Sequence, residues 1–181
     1  MTLVVPSPDA PLQAITDLIR EHARMQPSRP ALVLGEDQLD YGALDALMDR
    51  VAASLQRDGI GPGDSIAICA HSSPRYGAVF LGALRAGVAV APLAPSVTPQ
   101  SFASMLADAR PRWLFADDAA RDAIGEAPST VPRISLDGVL DGLGFDGWLM
   151  PEGSTPTPLS VRPDWPFNII YSSGTTGTPK G

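Results

Sequence analysis

The chain has 181 residues, of which 44% are hydrophobic and 18% charged, and its 20 acidic against 13 basic side chains give a formal net charge of −7. That is enough length for one domain with a proper core, and the composition is that of globular rather than disordered or fibrous material. No cluster of Lys or Arg occurs, which argues against nucleic acid or an anionic membrane as the principal partner.

The first eleven residues lack a basic region followed by an apolar core and carry Pro6, Pro8 and Pro11, so they do not read as a signal peptide. No uninterrupted apolar run approaches the roughly 20 residues of a membrane span. The single cysteine, Cys69, lies in an apolar run and reads as a small buried hydrophobe. Without an internal disulfide, a reducing compartment and a cytoplasmic location are the expectation.

In 11–25, Ile15, Leu18, Ile19 and the edge of His22 fall on one helical face, and Pro27 and Pro30 end the segment. His22 reads as a half-buried surface residue, since no second metal-binding side chain has compatible spacing nearby. Residues 31–34 and 38–41 read as strands around a tight turn at 35–37. A helix is expected over 41–58, with Leu44, Leu47, Met48, Val51 and Leu55 on one stripe, Asp40 as N-cap and Gly59 just past its end.

From residue 65 the pattern alternates between strand and helix. Strands are expected at 65–70, 88–93, 112–116 and 133–136, the last closing the series. Helices are expected at 75–86, with Tyr76, Val79, Phe80, Ala83 and Leu84 buried and Gly87 as its terminator, and from Pro99, with Phe102, Met105, Leu106 and Ala109 on one face. Asp117 and Asp118 stand at the start of a short helix ending near Gly125, where the helix dipole accounts for two carboxylates. Strands alternating with helices of about ten residues specify β-α-β units: an α/β fold with a parallel sheet buried on both faces. His71 follows the first strand of the series, at the carboxyl end where such sheets bind ligands, although Ser72, Ser73 and Pro74 also make an ordinary helix-initiating turn.

Residues 138–166 contain five glycines and five prolines and no sustained period. They read as an irregular surface connection that carries Trp148 back onto the core.

The segment 167–171, Phe-Asn-Ile-Ile-Tyr, reads as a buried strand feeding a loop, Ser172-Ser173-Gly174-Thr175-Thr176-Gly177-Thr178-Pro179-Lys180-Gly181. A polyanion such as a triphosphate needs many donors at close range. Gly174 and Gly177 permit unusual dihedrals, Ser172, Ser173, Thr175, Thr176 and Thr178 offer hydroxyls, and Lys180 offers a mobile ammonium. Gly and Ser carry high conformational entropy, so the loop is expected to be poorly ordered without nucleotide while strand 167–171 stays ordered. The Walker-type loop G-x-x-x-x-G-K-[ST] does not fit. Counting from Gly174, Pro179 stands where the second Gly belongs and Gly181 where the magnesium-binding hydroxyl belongs.

Residues 171–181 do resemble, position for position, the Y-[ST]-S-G-[ST]-T-G-x-P-K-G signature of the adenylate-forming (AMP-binding) superfamily. That group comprises acyl- and aryl-CoA synthetases, peptide-synthetase adenylation domains and luciferases. The block 40–64 is also similar: the family's [ST]-Y-x-E-L helix start appears with Asp40 as the cap and Ala43 in place of the Glu. Its G-[VI]-x-x-G-D appears as Gly59-Ile60-Gly61-Pro62-Gly63-Asp64.

The resemblance implies an N-terminal portion of an ATP-dependent enzyme that activates a carboxylic acid as an acyl-adenylate. It implies ATP, Mg2+ and coenzyme A as cofactors, with Ser172, Ser173, Gly174, Thr175, Thr176, Gly177, Thr178 and Lys180 at the nucleotide. An acyl- or aryl-CoA synthetase is the first reading, and a peptide-synthetase adenylation domain or a non-catalytic nucleotide-binding module the alternative. No catalytic residue and no metal ligand is assigned within the segment; the adenine, ribose and magnesium contacts and the catalytic Lys are expected downstream of Gly181. The expected organisation is a β-α-β subdomain at 1–137, a connection at 138–166, and a strand with phosphate loop at 167–181. Apolar faces around Ile169, Ile170 and the Phe80 helix should then be covered by the remainder of the enzyme or by self-association as a homo-oligomer.

Overall fold

Among the described residues, three of the four long helices begin where a side chain can accept from the backbone; the first, Ile15–Met25, preceded by Ala14, does not. Asp40 Oδ1 accepts from the Ala43 N–H at 2.8 Å, Ser73 Oγ from Tyr76 at 3.0 Å, and Thr98 Oγ1 from Ser101 at 3.2 Å. Pro74 and Pro99 occupy the first turns of the latter two, where a missing N–H costs nothing. The computed structural model describes residues 14–125 and 131–172.

In chain order, helix α1 (Ile15–Met25) is followed by the antiparallel hairpin β1 (Pro30–Leu34) and β2 (Asp37–Asp40), then by α2 (Tyr41–Arg57). The alternating part comprises β3 (Ser65–Cys69), α3 (Pro74–Arg85), β4 (Ala89–Leu93), α4 (Pro99–Ala109) and β5 (Leu114–Ala116). A 3-10 turn (Asp118–Ala120) then runs into α5 (Arg121–Ile124), followed by β6 (Arg133–Ser135), β7 (Leu143–Gly144) and α6 (Phe145–Trp148). Gly59 and Gly87 sit just beyond α2 and α3 with φ of 72° and 71°, the left-handed conformation that ends a helix.

β3 to β7 form one five-stranded sheet in the order β4-β3-β5-β6-β7, and every neighbouring pair is parallel. This is the α/β architecture that the alternating pattern specifies. The series does not close with β6: the segment 138–166 supplies β7 and α6, each too short and too rich in glycine to leave a period in the sequence.

Strand parity sends side chains to two cores. Ile66, Ile68, Val90, Phe115 and Ile134 face α2, α3 and α6. Ala67, Cys69, Ala91, Leu93, Leu114 and Ala116 face α4 and α5. On the first face α2 and α3 approach so closely that a Cβ on Gly82 would lie 2.6 Å from Val51 Cβ. Trp148 returns to this core as expected, 1% exposed and edge-on to Phe115 with ring centroids 5.0 Å apart. Its indole N–H donates to Asp58 Oδ2 at 2.8 Å, and the Trp113 indole donates to the same oxygen at 2.9 Å.

A buried charge that periodicity does not reveal fastens the helices. Arg85, 8% exposed, bonds Asp45 Oδ1 at 2.6 Å and Asp49 Oδ1 at 2.9 Å and also reaches the Thr16 carbonyl, joining α3 to α2 and α1.

Candidate nucleotide-binding edge

The sheet reverses direction between β3 and β5: the chain leaves β3 for β4 on one side, then crosses back to β5 on the other. In open α/β sheets ligands bind beyond the carboxyl ends of the strands at such a reversal. His71 follows β3 there, with its side chain 79% exposed and its Nδ1 3.9 Å from Asp117 Oδ2.

Asp117 has a different role from the one expected of it. It makes no side-chain cap to the following helical turn; its Oδ2 instead accepts the His71 backbone N–H at 2.9 Å across the crevice. Its Oδ1 is buried without a hydrogen-bond partner. The Asp118 N–H is taken by Asp137 Oδ2 at 2.7 Å. Burial opposes ionisation of Asp137, but bonds from the Val139 and Asp118 amides and the Ser135 hydroxyl outweigh it and hold the carboxyl below its ordinary value. Beside these carboxylates lies a crevice of about 470 Å³, lined by Gln38, Ser73, Arg75, Asp117, Leu136 and Asp137 among others. At the end of β3, burial, and then the Asp117 charge, push the Cys69 thiol up to about 12, so it stays protonated and unreactive. Among the described residues no group of three or more His, Cys, Asp or Glu side chains could hold a metal ion.

The segment leading to the glycine-rich loop adds to the outer edge of β4. Asn168 pairs in parallel with Val90. The Val90 N–H donates to the Phe167 carbonyl at 3.1 Å and the Ile169 N–H to the Val90 carbonyl at 2.8 Å. The chain therefore runs toward the same carboxyl edge as His71 and Asp117. Asn168 makes an isolated bridge here rather than belonging to the buried strand expected over 167–171. Phe167 and Ile170 are 63% and 70% exposed, because among the described residues nothing lies beyond this edge. Ile169 is not uncovered: with Tyr171 it packs on the α4 side of the sheet. The Phe80 helix, α3, does present an apolar groove, of about 480 Å³, lined by Phe80, Leu84, Trp165 and Phe167 among others.

Tyr171 is the one signature residue whose contacts are fixed in detail. Its hydroxyl lies 2.8 Å from Asp108 Oδ2 and 3.1 Å from the Met105 carbonyl, both on α4. Burial, then the bond to Asp108 and that carboxylate's charge, raise the phenol above its ordinary value. Ser172 follows as an exposed residue. Ser173, Gly174, Thr175, Thr176, Gly177, Thr178 and Lys180 lie outside the described residues. The structure thus places the root of the candidate loop, and the assignment of its donors rests on the sequence.

A family model described as AMP-binding enzyme matches residues 19–181. The chain belongs to the AMP-binding enzyme family. Among curated relatives of this AMP-binding chain, a fatty acid–[acyl-carrier-protein] ligase, ScoC, of Streptomyces coeruleorubidus is 30% identical over 171 residues, covering 94% of this chain and 32% of the relative. An indoleacetate–CoA ligase of Aromatoleum aromaticum is 30% identical over 172 residues, covering 92% of this chain and 34% of its own length. The AMP-binding chain therefore spans about a third of these relatives. Among solved structures, VinN in complex with 3-methylaspartate superposes with a TM-score of 0.76 at 26% identity, covering 92% of this chain and 46% of that one.

Proposed function

We propose that the intact protein bearing this segment is an ATP-dependent acid–thiol ligase. A substrate carboxylate oxygen attacks the α-phosphorus of ATP, the bond to the β-phosphate oxygen breaks, and pyrophosphate leaves. A thiol then attacks the acyl carbon, forming a thioester and releasing AMP. Ser172, Ser173, Gly174, Thr175, Thr176, Gly177, Thr178 and Lys180 would hold the β- and γ-phosphates, and Mg2+, for which no ligand is assigned within this segment, would supply charge neutralisation of the triphosphate. The observation that carries this reading is the unbroken signature at 171–181, whose root leaves the carboxyl edge of a parallel sheet.

The first α/β layer of the nucleotide-binding domain extends past residue 137 through β7 and α6, the chain from 149 to 166 connects it onward, and 167–181 begin the part that receives ATP. The further groups belong to the remainder of the same protein, which also covers Ile170 and the α3 groove. A cytoplasmic location agrees with a lone buried thiol, and no helix among the described residues is long and apolar enough to cross a membrane.

Coenzyme A as the acceptor is supported by the CoA ligase among the relatives, and an acyl-carrier protein by ScoC. Activation of an amino acid is supported by the 3-methylaspartate named in the VinN complex, and the alternative of a peptide-synthetase adenylation domain by the surfactin synthase subunit among the relatives. Pyrophosphate–ATP exchange by the full-length protein, run across aryl, fatty and amino acids, tests the first half-reaction. Thioester formation with coenzyme A or with a phosphopantetheinylated carrier then selects the acceptor. Absence of exchange with every acid class would overturn the reading.

A further inference from the structure

Among the described residues, the side-chain contacts that fix the root of the glycine-rich loop are few. Two backbone bonds at Val90 hold 167–169, the next residue, Ile170, is 70% exposed, and the chain then reaches Tyr171. The ring of Tyr171 packs against the α4-side core while its hydroxyl faces two acceptors on α4, 63 and 66 residues away in sequence. One phenolic proton cannot serve both acceptors fully; the shorter contact, to the charged Asp108 carboxylate, is the stronger. Asp108 is itself exposed, so nothing in core packing requires a carboxylate there.

We infer that the Tyr171–Asp108 pair is a positioning device that fixes the origin of the phosphate loop against the last turn of α4, so that Tyr171 and Asp108 govern ATP binding without touching ATP. The inference rests on the proposed function for the identity of the ligand, and on the hydrogen-bond geometry alone for the anchor. A ring that only filled the core would function equally well as phenylalanine. A ring whose hydroxyl sets the path of the next residues would not, because a loop that contacts phosphates through several donors loses affinity when its origin wanders.

The test uses the full-length enzyme with Tyr171→Phe, Asp108→Ala and the double variant. Amide hydrogen exchange read by mass spectrometry should accelerate about tenfold over 172–181 in each variant, the scale set by losing one bond to a charged partner, with 99–107 unchanged. In pyrophosphate exchange the KM for ATP should rise about five- to tenfold while kcat and the KM for the acid stay within about twofold, the pattern of lost ground-state binding. The double variant should be no worse than Tyr171→Phe alone, which already removes the hydroxyl and with it the bond to Asp108. Unchanged loop exchange and ATP KM in folded variants would overturn the inference, as would additive losses. A joint rise in ATP and acid KM with faster exchange across α4 would also overturn it, since that marks a purely structural contact. Should the wild type show no pyrophosphate exchange at all, the functional reading falls, and the hydrogen-exchange comparison alone then upholds or overturns the anchor.

Discussion

The centre of the sheet and its outer edge are held in opposite ways. In β3, Ile66, Ala67, Ile68 and Cys69 are all completely buried, with a strand on each side and helices above and below. At the edge of β4, residues 167–171 are held by one β-bridge, three half-buried side chains and one hydroxyl. The centre is over-determined, and the edge is attached at a few points that can be altered singly. Stability and ligand handling should therefore separate cleanly under substitution.

The largest expected effect lies in the centre. Trp148→Ala removes a ring that is 1% exposed and its bond to Asp58, and should cost about 3–5 kcal/mol in urea unfolding. A cost below about 1 kcal/mol would show that 138–150 is not integral to the core. At the loop, Lys180→Ala in the intact enzyme should lower pyrophosphate exchange about a hundredfold with no change in the unfolding midpoint, the scale of one lost donor to developing charge. A wild-type rate and ATP dependence would refute its role. Gly82→Ala forces a methyl to within 2.6 Å of Val51 Cβ, and overpacking of that kind should destabilise by about 1–3 kcal/mol without touching ATP kinetics.

The smallest effect is at the crevice. Because the Asp137 carboxyl is held below its ordinary value, its ionised form stabilises the fold above the unfolded carboxylate pKa of about 4. That stabilisation is lost as pH falls through the lowered folded-state value. Asp137→Asn should be less stable than wild type at neutral pH by under about 1 kcal/mol, since solvent screens this exposed carboxylate, and the gap should close in acid. A gap constant with pH would mean that the charge contributes nothing.

Legibility in the sequence follows the same division. The centre was readable because fully buried parallel strands are apolar throughout and their helices carry both a stripe and a cap: Asp40 and Pro99 mark their helices where the chain itself prescribes them. β7 and α6 were not readable, since two- and four-residue elements show no period and are created by the strand or core they join. Asp117 misled because a carboxylate before a helical turn has a sufficient local explanation, whereas its partner, the His71 amide, lies 46 residues away. The signature at 171–181 was legible as a string, but the bond from Tyr171 to Asp108 was not, because a tyrosine hydroxyl in a motif says nothing about which distant carboxylate will meet it.

The two indoles that share Asp58 Oδ2 also turn this molecule into its own optical gauge. Of the three tryptophans, two converge on a single oxygen at the end of α2, and the third, Trp165, lies in the groove beside Gly87. Emission from the first pair reads whether the stretch around residue 148 is seated on the sheet, and a red shift as Trp148 meets water would signal its release. Emission from the third reads whether the α3 groove is filled. Light absorbed by one protein thus distinguishes undocking of its connecting segment from arrival of whatever covers its apolar flank, with no label attached.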